Sequence, residues 1–186
     1  MKRLMLTLSI TLSISAIAQT NTYSSTANEI LGANESLSLR GYGEMIYNQK
    51  VDASTMRNGK LDARRFILFT GYKFNEKTQF ISEIEVEHAN EIYLEQAFIQ
   101  HRISSTLNFR AGLMLIPMGL VNEYHEPTTF HGVERSHVDK YLIPSTWREM
   151  GVGFQGVMPE LNLAYQAYLI NGLKSHDGSK GLFDEV

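Results

Sequence analysis

A chain of 186 residues with 17 basic and 20 acidic side chains has a formal net charge of −3, which excludes the basic excess that binding to nucleic acid rests on. The absence of cysteine excludes disulfides and a lipid-anchored cysteine behind a leader. The 43% hydrophobic and 20% charged content is that of an ordinary globular protein, so the fold class has to be read from the order of the residues.

The chain opens on Met1-Lys2-Arg3, an apolar run from Leu4 to Ile17, and Ala16-Ile17-Ala18 before Gln19. A positive start, an apolar middle and an A-x-A exit predict a cleaved signal peptide over residues 1–18. The apolar run is shorter than the roughly 20 residues of a spanning helix. Cleavage would remove Lys2 and Arg3 and no acid, leaving 15 basic against 20 acidic residues, a net charge of −5. Residues 19–36 are rich in Ser, Thr, Asn and Ala with one apolar pair, Ile30-Leu31, and predict a flexible leader with room for one short helical turn.

From Leu37 the pattern becomes two-fold. Leu37, Leu39, Gly41, Gly43, Met45 and Tyr47 alternate with Ser38, Arg40, Tyr42 and Glu44, the period of a strand between two different environments. A polar connection through Asn58-Gly59 leads to a second strand, Leu61 to Phe74, with Phe66, Leu68, Thr70, Tyr72 and Phe74 on one face and Arg65, Ile67, Phe69, Gly71 and Lys73 on the other. Asn75-Glu76-Lys77 is a tight turn. The third strand sets Phe80, Ser82, Ile84 and Val86 against Gln79, Glu83, Glu85 and Glu87. A fourth strand from Ile92 to Ile103 has less distinct faces; a fifth runs from Leu107 to Ile116. A charged loop from Pro117 to Ser145 follows, then strands from Trp147 to Gln155 and from Leu161 to Ile170, and a Gly, Ser, Lys and Asp tail to Val186.

A long charged loop between alternating strands is foreign to a compact soluble domain and at home in a water-filled barrel, where it can fold into the lumen. The connections after the second, fourth and sixth strands are tight, and those after the first, fifth and seventh are long or begin long, with the short one after the third strand the exception. Short turns at one end and longer loops at the other, with strands of roughly ten residues, are how outer-membrane barrels are built. The predicted fold class is all-β: an antiparallel transmembrane β-barrel, with residues 37–186 its N-terminal portion and 117–145 a long inward-folding loop. A charge facing lipid costs about 2–4 kcal/mol for a basic residue and less for an acid, so Glu83 and Glu85 are expected to face inward.

The runs Gly112-Leu113-Met114-Leu115-Ile116-Pro117-Met118-Gly119-Leu120, Asn122-Glu123-Tyr124-His125-Glu126-Pro127, Gly132-Val133-Glu134-Arg135 and Ile143-Pro144-Ser145-Thr146-Trp147-Arg148-Glu149-Met150-Gly151 resemble the phosphate-selective porin O and P family, in particular its Bacteroidetes-type outer-membrane porins, over about residues 37–172. The resemblance implies a barrel of about sixteen strands, usually trimeric, whose third outer loop narrows the pore. Seven strands and an end inside a loop then predict a truncated barrel. A phosphate channel would need a ladder of Arg and Lys along the lumen, whereas Glu83, Glu85 and Glu87 here share the inward face with Arg40, Arg65, Lys73 and Arg110. Phosphate selectivity is therefore not expected.

The expected function is a channel for passive diffusion of small polar or ionic solutes, with outer-membrane lipid as surroundings and no enzymatic chemistry or cofactor. Candidate pore-lining residues are Arg65, Glu83, Glu85, Glu87, Arg110, Glu123, His125, Glu126, His131, Glu134 and Arg135. His125, His131 and His137 recur every six residues and form a weak candidate metal set, since imidazole with carboxylate suits zinc or copper but no tight spacing fixes it. Gly151-Val152-Gly153-Phe154-Gln155-Gly156 matches G-x-G-x-x-G but precedes another strand, where a dinucleotide loop needs a helix. Ser136, His137 and Asp139 are neighbours in sequence, which says nothing of a triad. The rivals are an exported soluble β-sandwich with a His/Glu metal-dependent hydrolase site, and a small adhesive or binding barrel.

Overall fold

The computed structural model of the protein describes residues 25–51, 58–119, 121–142 and 146–172. The expected signal peptide, the first residues of the leader and the tail from 173 lie outside them. Seven strands, β1 (Leu37–Asn48), β2 (Lys60–Lys73), β3 (Thr78–Glu87), β4 (Glu91–Arg102), β5 (Asn108–Leu115), β6 (Arg148–Met158) and β7 (Leu163–Ile170), form one antiparallel sheet in the order of the chain. Among the described residues the sheet is not closed: β1 pairs only with β2, and β7 only with β6. The protein is all-β in its sheet, with two short helices, α1 (Thr26–Gly32) and α2 (His137–Tyr141).

The tight turns have local causes. The Asn75 side chain accepts from the backbone N–H of both Lys77 and Thr78 at 2.9 Å, an Asx turn that closes the β2–β3 hairpin. Between β6 and β7, Pro159–Leu161 makes a 3-10 turn and Asn162 takes left-handed dihedrals (φ 48°). For that reason β7 begins at Leu163 and not at the expected Leu161, since Asn tolerates this conformation and most residues do not. Gly151, Gly153 and Gly156 all lie within β6, and a Cβ on Gly153 would stand 2.3 Å from both the Ala167 carbonyl and the Tyr168 ring. The glycines of the G-x-G-x-x-G match make room for the neighbouring strand.

The two faces of the sheet differ in kind. On the outward face Phe66, Leu68 and Tyr72 of β2, Ile84 of β3, Ile92 and Leu94 of β4, Val152 and Phe154 of β6, and Leu169 of β7 are all exposed. The other face is covered. At one end Ala27 and Ile30 of α1 pack with Ile67, Phe69, Ile81, Phe98 and Met114 into the apolar core. Ser25 caps the helix by accepting from Asn28 N–H, and Lys73 donates to the Ala33 carbonyl at 2.7 Å. Ile30 sits where a side chain on Gly71 would be, with its Cγ2 at 2.1 Å from the position of an added Cβ. The stretch expected as a flexible leader is, from Thr26 to Gly32, a helix docked on the sheet.

Candidate functional site

The rest of the covered face is charged, and strand register builds it. Arg65 lies opposite Glu44 of β1 and Glu87 of β3. Its guanidinium lies 2.9 Å from a Glu44 oxygen, 3.1 Å from Glu85 and 3.7 Å from Glu87. Arg65 and Glu85 are both buried, and a planar fork with several donors suits a site where one cation serves three carboxylates.

The pairing of β3 with β4 shifts register between Glu83 and Ile84: Glu83 faces Gln96 while Ile84 faces Leu94. Glu95 is the extra residue of a bulge. A bulge breaks the alternation, so Glu95 and Gln96 are both buried on the covered face. Gln96 donates to Glu83 Oε2 at 2.5 Å, while Glu83 Oε1 is buried with no hydrogen-bond partner.

The loop then folds over this surface. Its base is stapled by Asn122, buried and fully used: Nδ2 donates to the carbonyls of Ile116 and Trp147 at 2.7 and 2.8 Å, and Oδ1 accepts from Trp147 N–H at 2.8 Å. These bonds tie the end of β5 to the start of β6 and fix the 3-10 turn Asn122–Tyr124 beneath them. That turn aims His125 at the sheet. His125 is 2% exposed, with Nε2 3.0 Å from Glu95 Oε2 and Nδ1 2.9 Å from the Asn122 carbonyl. Glu126 accepts from the backbone N–H of Thr26 at 2.6 Å and so ties the loop to α1. Glu123 accepts from Gln166 of β7 at 3.0 Å; burial pushes its carboxyl above the usual range, with Gln166 and Arg110 opposing.

Beyond His125 the loop stands off the sheet and leaves a cavity of about 290 Å³, bordered by Glu44, Arg65, Glu85, Glu87, Glu134 and Arg135 among others. Arg135 donates to Thr146 Oγ1 at 3.3 Å; burial, then Arg65, lowers its pKa. Glu134 lies 3.8 Å from Lys140 and accepts from Asn48 at 3.2 Å. Arg110 of β5 belongs to a separate network, donating to Gln100 at 2.9 Å with its guanidinium 4.3 Å from the centre of the Phe98 ring.

Of the eleven candidate pore-lining residues, Glu83, Arg110 and His125 are buried, Arg65 and Glu85 are largely buried but border the cavity, and Glu87, Glu134 and Arg135 border it too. The three loop histidines do not converge. His131 and His137 are exposed, and His137 stacks edge-on against Tyr141 of α2. Ser136 and Asp139 cap the same helix. Instead, Glu83, Glu95 and His125 come together, with one ligand atom from each within 4.8 Å of the others. Glu95, Gln96 and Asn122 were not anticipated. Two adjacent polar residues, Glu95-Gln96, inside the apolar middle of β4 from Ile92 to Ile99 were the available signal of a bulge.

No family model matches the chain, and no solved structure matches it. Over 162 residues, 82% of the chain, it is 38% identical to a protein of Aquifex aeolicus (strain VF5) described as "Uncharacterized protein". The match takes in 36% of that protein, so the chain spans about a third of the length of the curated relative it matches.

Proposed function

We propose that the chain forms part of the wall of an outer-membrane β-barrel that passes small polar or ionic solutes by diffusion, with the loop after β5 narrowing the passage. The outward face of the sheet carries the proposal. Over β1 to β4, β6 and β7 it presents aliphatic and aromatic side chains to the surroundings, with Met45 80%, Ile92 72% and Leu169 77% exposed, while Glu83, Glu85 and Glu95 are under 4% exposed. In water this arrangement forgoes about 1.5–3 kcal/mol per large apolar side chain left uncovered. Against hydrocarbon the outward face costs nothing, and acids are kept from lipid. No helix among the described residues is long and apolar enough to cross a membrane, and strands are the other way across. A soluble sandwich would need a second layer over Phe66, Leu68 and Ile84, and no described element packs there.

In this reading the solute passes the cavity side of the loop, where Glu87, Glu134 and Arg135 set the field. Charges of both signs argue against a phosphate ladder. The test is the state of the protein isolated from cell envelopes. Extraction only with detergent, and steps of ion conductance in planar bilayers whose reversal potential moves on Glu87→Gln plus Glu134→Gln, would support the pore. A compact monomer in plain buffer, with Phe66 and Ile84 shielded from collisional quenchers or labels, would overturn it.

A further inference from the structure

Three side chains from two strands and the loop meet in the interior of the charged face. Glu83 of β3 and Glu95 of β4 are each no more than 2% exposed, as is His125, and their ligand atoms lie within 4.8 Å of one another. The Asn122 carbonyl can only accept, so the His125 Nδ1 facing it at 2.9 Å carries the proton. In the neutral ring this leaves the Nε2 lone pair directed at Glu95. A ring held by its far nitrogen on a backbone carbonyl, with the near one turned to a carboxylate at 3.0 Å, is oriented as proteins orient a histidine that ligates metal. Glu83 Oε1 is buried with no hydrogen-bond partner. The nearby cation does not compensate it, because Arg65 is committed to Glu44, Glu85 and Glu87.

We propose that Glu83, Glu95 and His125 bind one divalent first-row transition ion of the zinc type, which ties the loop to the sheet. Imidazole nitrogen with carboxylate oxygen is the donor set zinc takes in proteins, at about 2.0–2.2 Å, so that neighbouring ligand atoms of a tetrahedral site lie roughly 3.4 Å apart. The Glu95 Oε2 to His125 Nε2 separation of 3.0 Å is already close to that edge, and small rotations about the Glu83 side-chain bonds bring in the third ligand. A water donor or a proton would satisfy the Glu83 oxygen singly, whereas one bound cation offsets both buried carboxylates at once. Magnesium and calcium fit less well, since they take six or more oxygens and avoid imidazole. Bound there, the ion links β3, β4 and the 3-10 turn of the loop. The site rests on these contacts and not on the pore: a zinc protein that needs no detergent would overturn the pore and keep the site, and a conducting barrel without bound zinc would do the reverse.

The test is equilibrium dialysis of the mature protein, folded in detergent micelles, against Zn²⁺, with elemental analysis. One equivalent is expected in the wild type. Glu83→Gln and His125→Gln each remove a ligand and should weaken binding by at least the roughly 10- to 100-fold that loss of an outer-shell partner costs, whereas His137→Ala, on the exposed side of the loop, should leave it unchanged. Co²⁺ in place of Zn²⁺ should give visible ligand-field bands in the wild type without thiolate charge transfer, a readout independent of how well the variants fold. Absence of stoichiometric Zn²⁺ and of the Co²⁺ bands in the wild type, or uptake by folded Glu83→Gln equal to the wild type, would overturn the site. Loss of binding on His137→Ala with Glu83→Gln unaffected would overturn it equally, by moving the ion to the loop surface.

Discussion

Within β2 and β3, neighbouring residues live in opposite worlds. Phe66, Leu68 and Ile84 are exposed, and Arg65, Glu83 and Glu85, one residue away along the chain, are buried under 9% exposure. A half-covered sheet in water sorts the other way, with apolar side chains against the covering layer and charges outside. The inversion is not uniform, because Ile67, Phe69 and Ile81 share the covered face with the charges and form the seat of α1. The covered face is therefore divided: an apolar end holds the helix, and a charged end holds the loop. The comparison teaches that the outward face is defined by what is missing from it, namely charge, and the covered face by how its charges are paired.

The largest effect should come from breaking that pairing. Arg65→Ala leaves Glu44, Glu85 and Glu87 without their shared cation, and removing one partner of a buried ion pair costs about 3–5 kcal/mol. Urea unfolding of the protein in lipid vesicles should register a loss of that size, and one below about 1 kcal/mol would mean that water reaches the carboxylates. Next comes the outward face. Leu68→Arg should cost about 2–4 kcal/mol if the position faces the middle of a bilayer, and within about 0.5 kcal/mol of nothing if it faces water. The same unfolding measurement, run on Leu68→Arg and on Glu87→Lys at the cavity, separates the two surroundings directly.

A third change strikes the staple of the loop. Asn122→Ala leaves the Trp147 N–H without its acceptor and takes one of two donors from each of the Ile116 and Trp147 carbonyls, which keep the N–H groups of Met118 and Ile116, and an unpaired buried group costs about 1–3 kcal/mol. The loss should be confined to the loop. Amide hydrogen exchange is expected to speed up from Asn122 to Thr129 while β2 and β3 keep their protection, and a uniform rise across the sheet would refute the local role.

Much of this organisation was legible in the alternation. The shared face of Glu83 and Glu85 follows from period two in β3, and the tight turns follow from Asn75 and Pro159. What escaped did so for physical reasons. The bulge at Glu95 disrupts the period that made β3 readable, which is why the faces of β4 looked indistinct. His125 meets Glu95 across 30 positions of sequence, a contact set by strand register and by the Asn122 staple, and neither is a local pattern. The spacing of His125, His131 and His137 left open a convergence that the loop does not make, since only His125 is aimed at the sheet by the stapled turn. Ile30 stood out as apolar in a polar leader, but its seat is the absence of a side chain at Gly71, and an absence leaves little mark in a sequence.

The smallest expected effect is a titration at the junction of the two faces' elements. Glu123 sits in the stapled turn and reaches Gln166 of β7. Its pKa in the docked loop is raised, chiefly by burial, against the opposing pull of the Gln166 bond and of Arg110. The docked loop thus holds the Glu123 proton more tightly than the free loop does. This contribution to docking is fully present below the ordinary carboxylate range, about pH 4.3, and is lost as pH rises through the raised docked value. Trp147, the one tryptophan of the sequence, is bonded to Asn122, so its fluorescence reports the loop base. The denaturant midpoint of that signal should fall as pH rises across this window in the wild type, and the fall should flatten in Glu123→Gln. An equal slope in both proteins would assign the pH dependence to another group and leave Glu123 as a hydrogen-bond acceptor only.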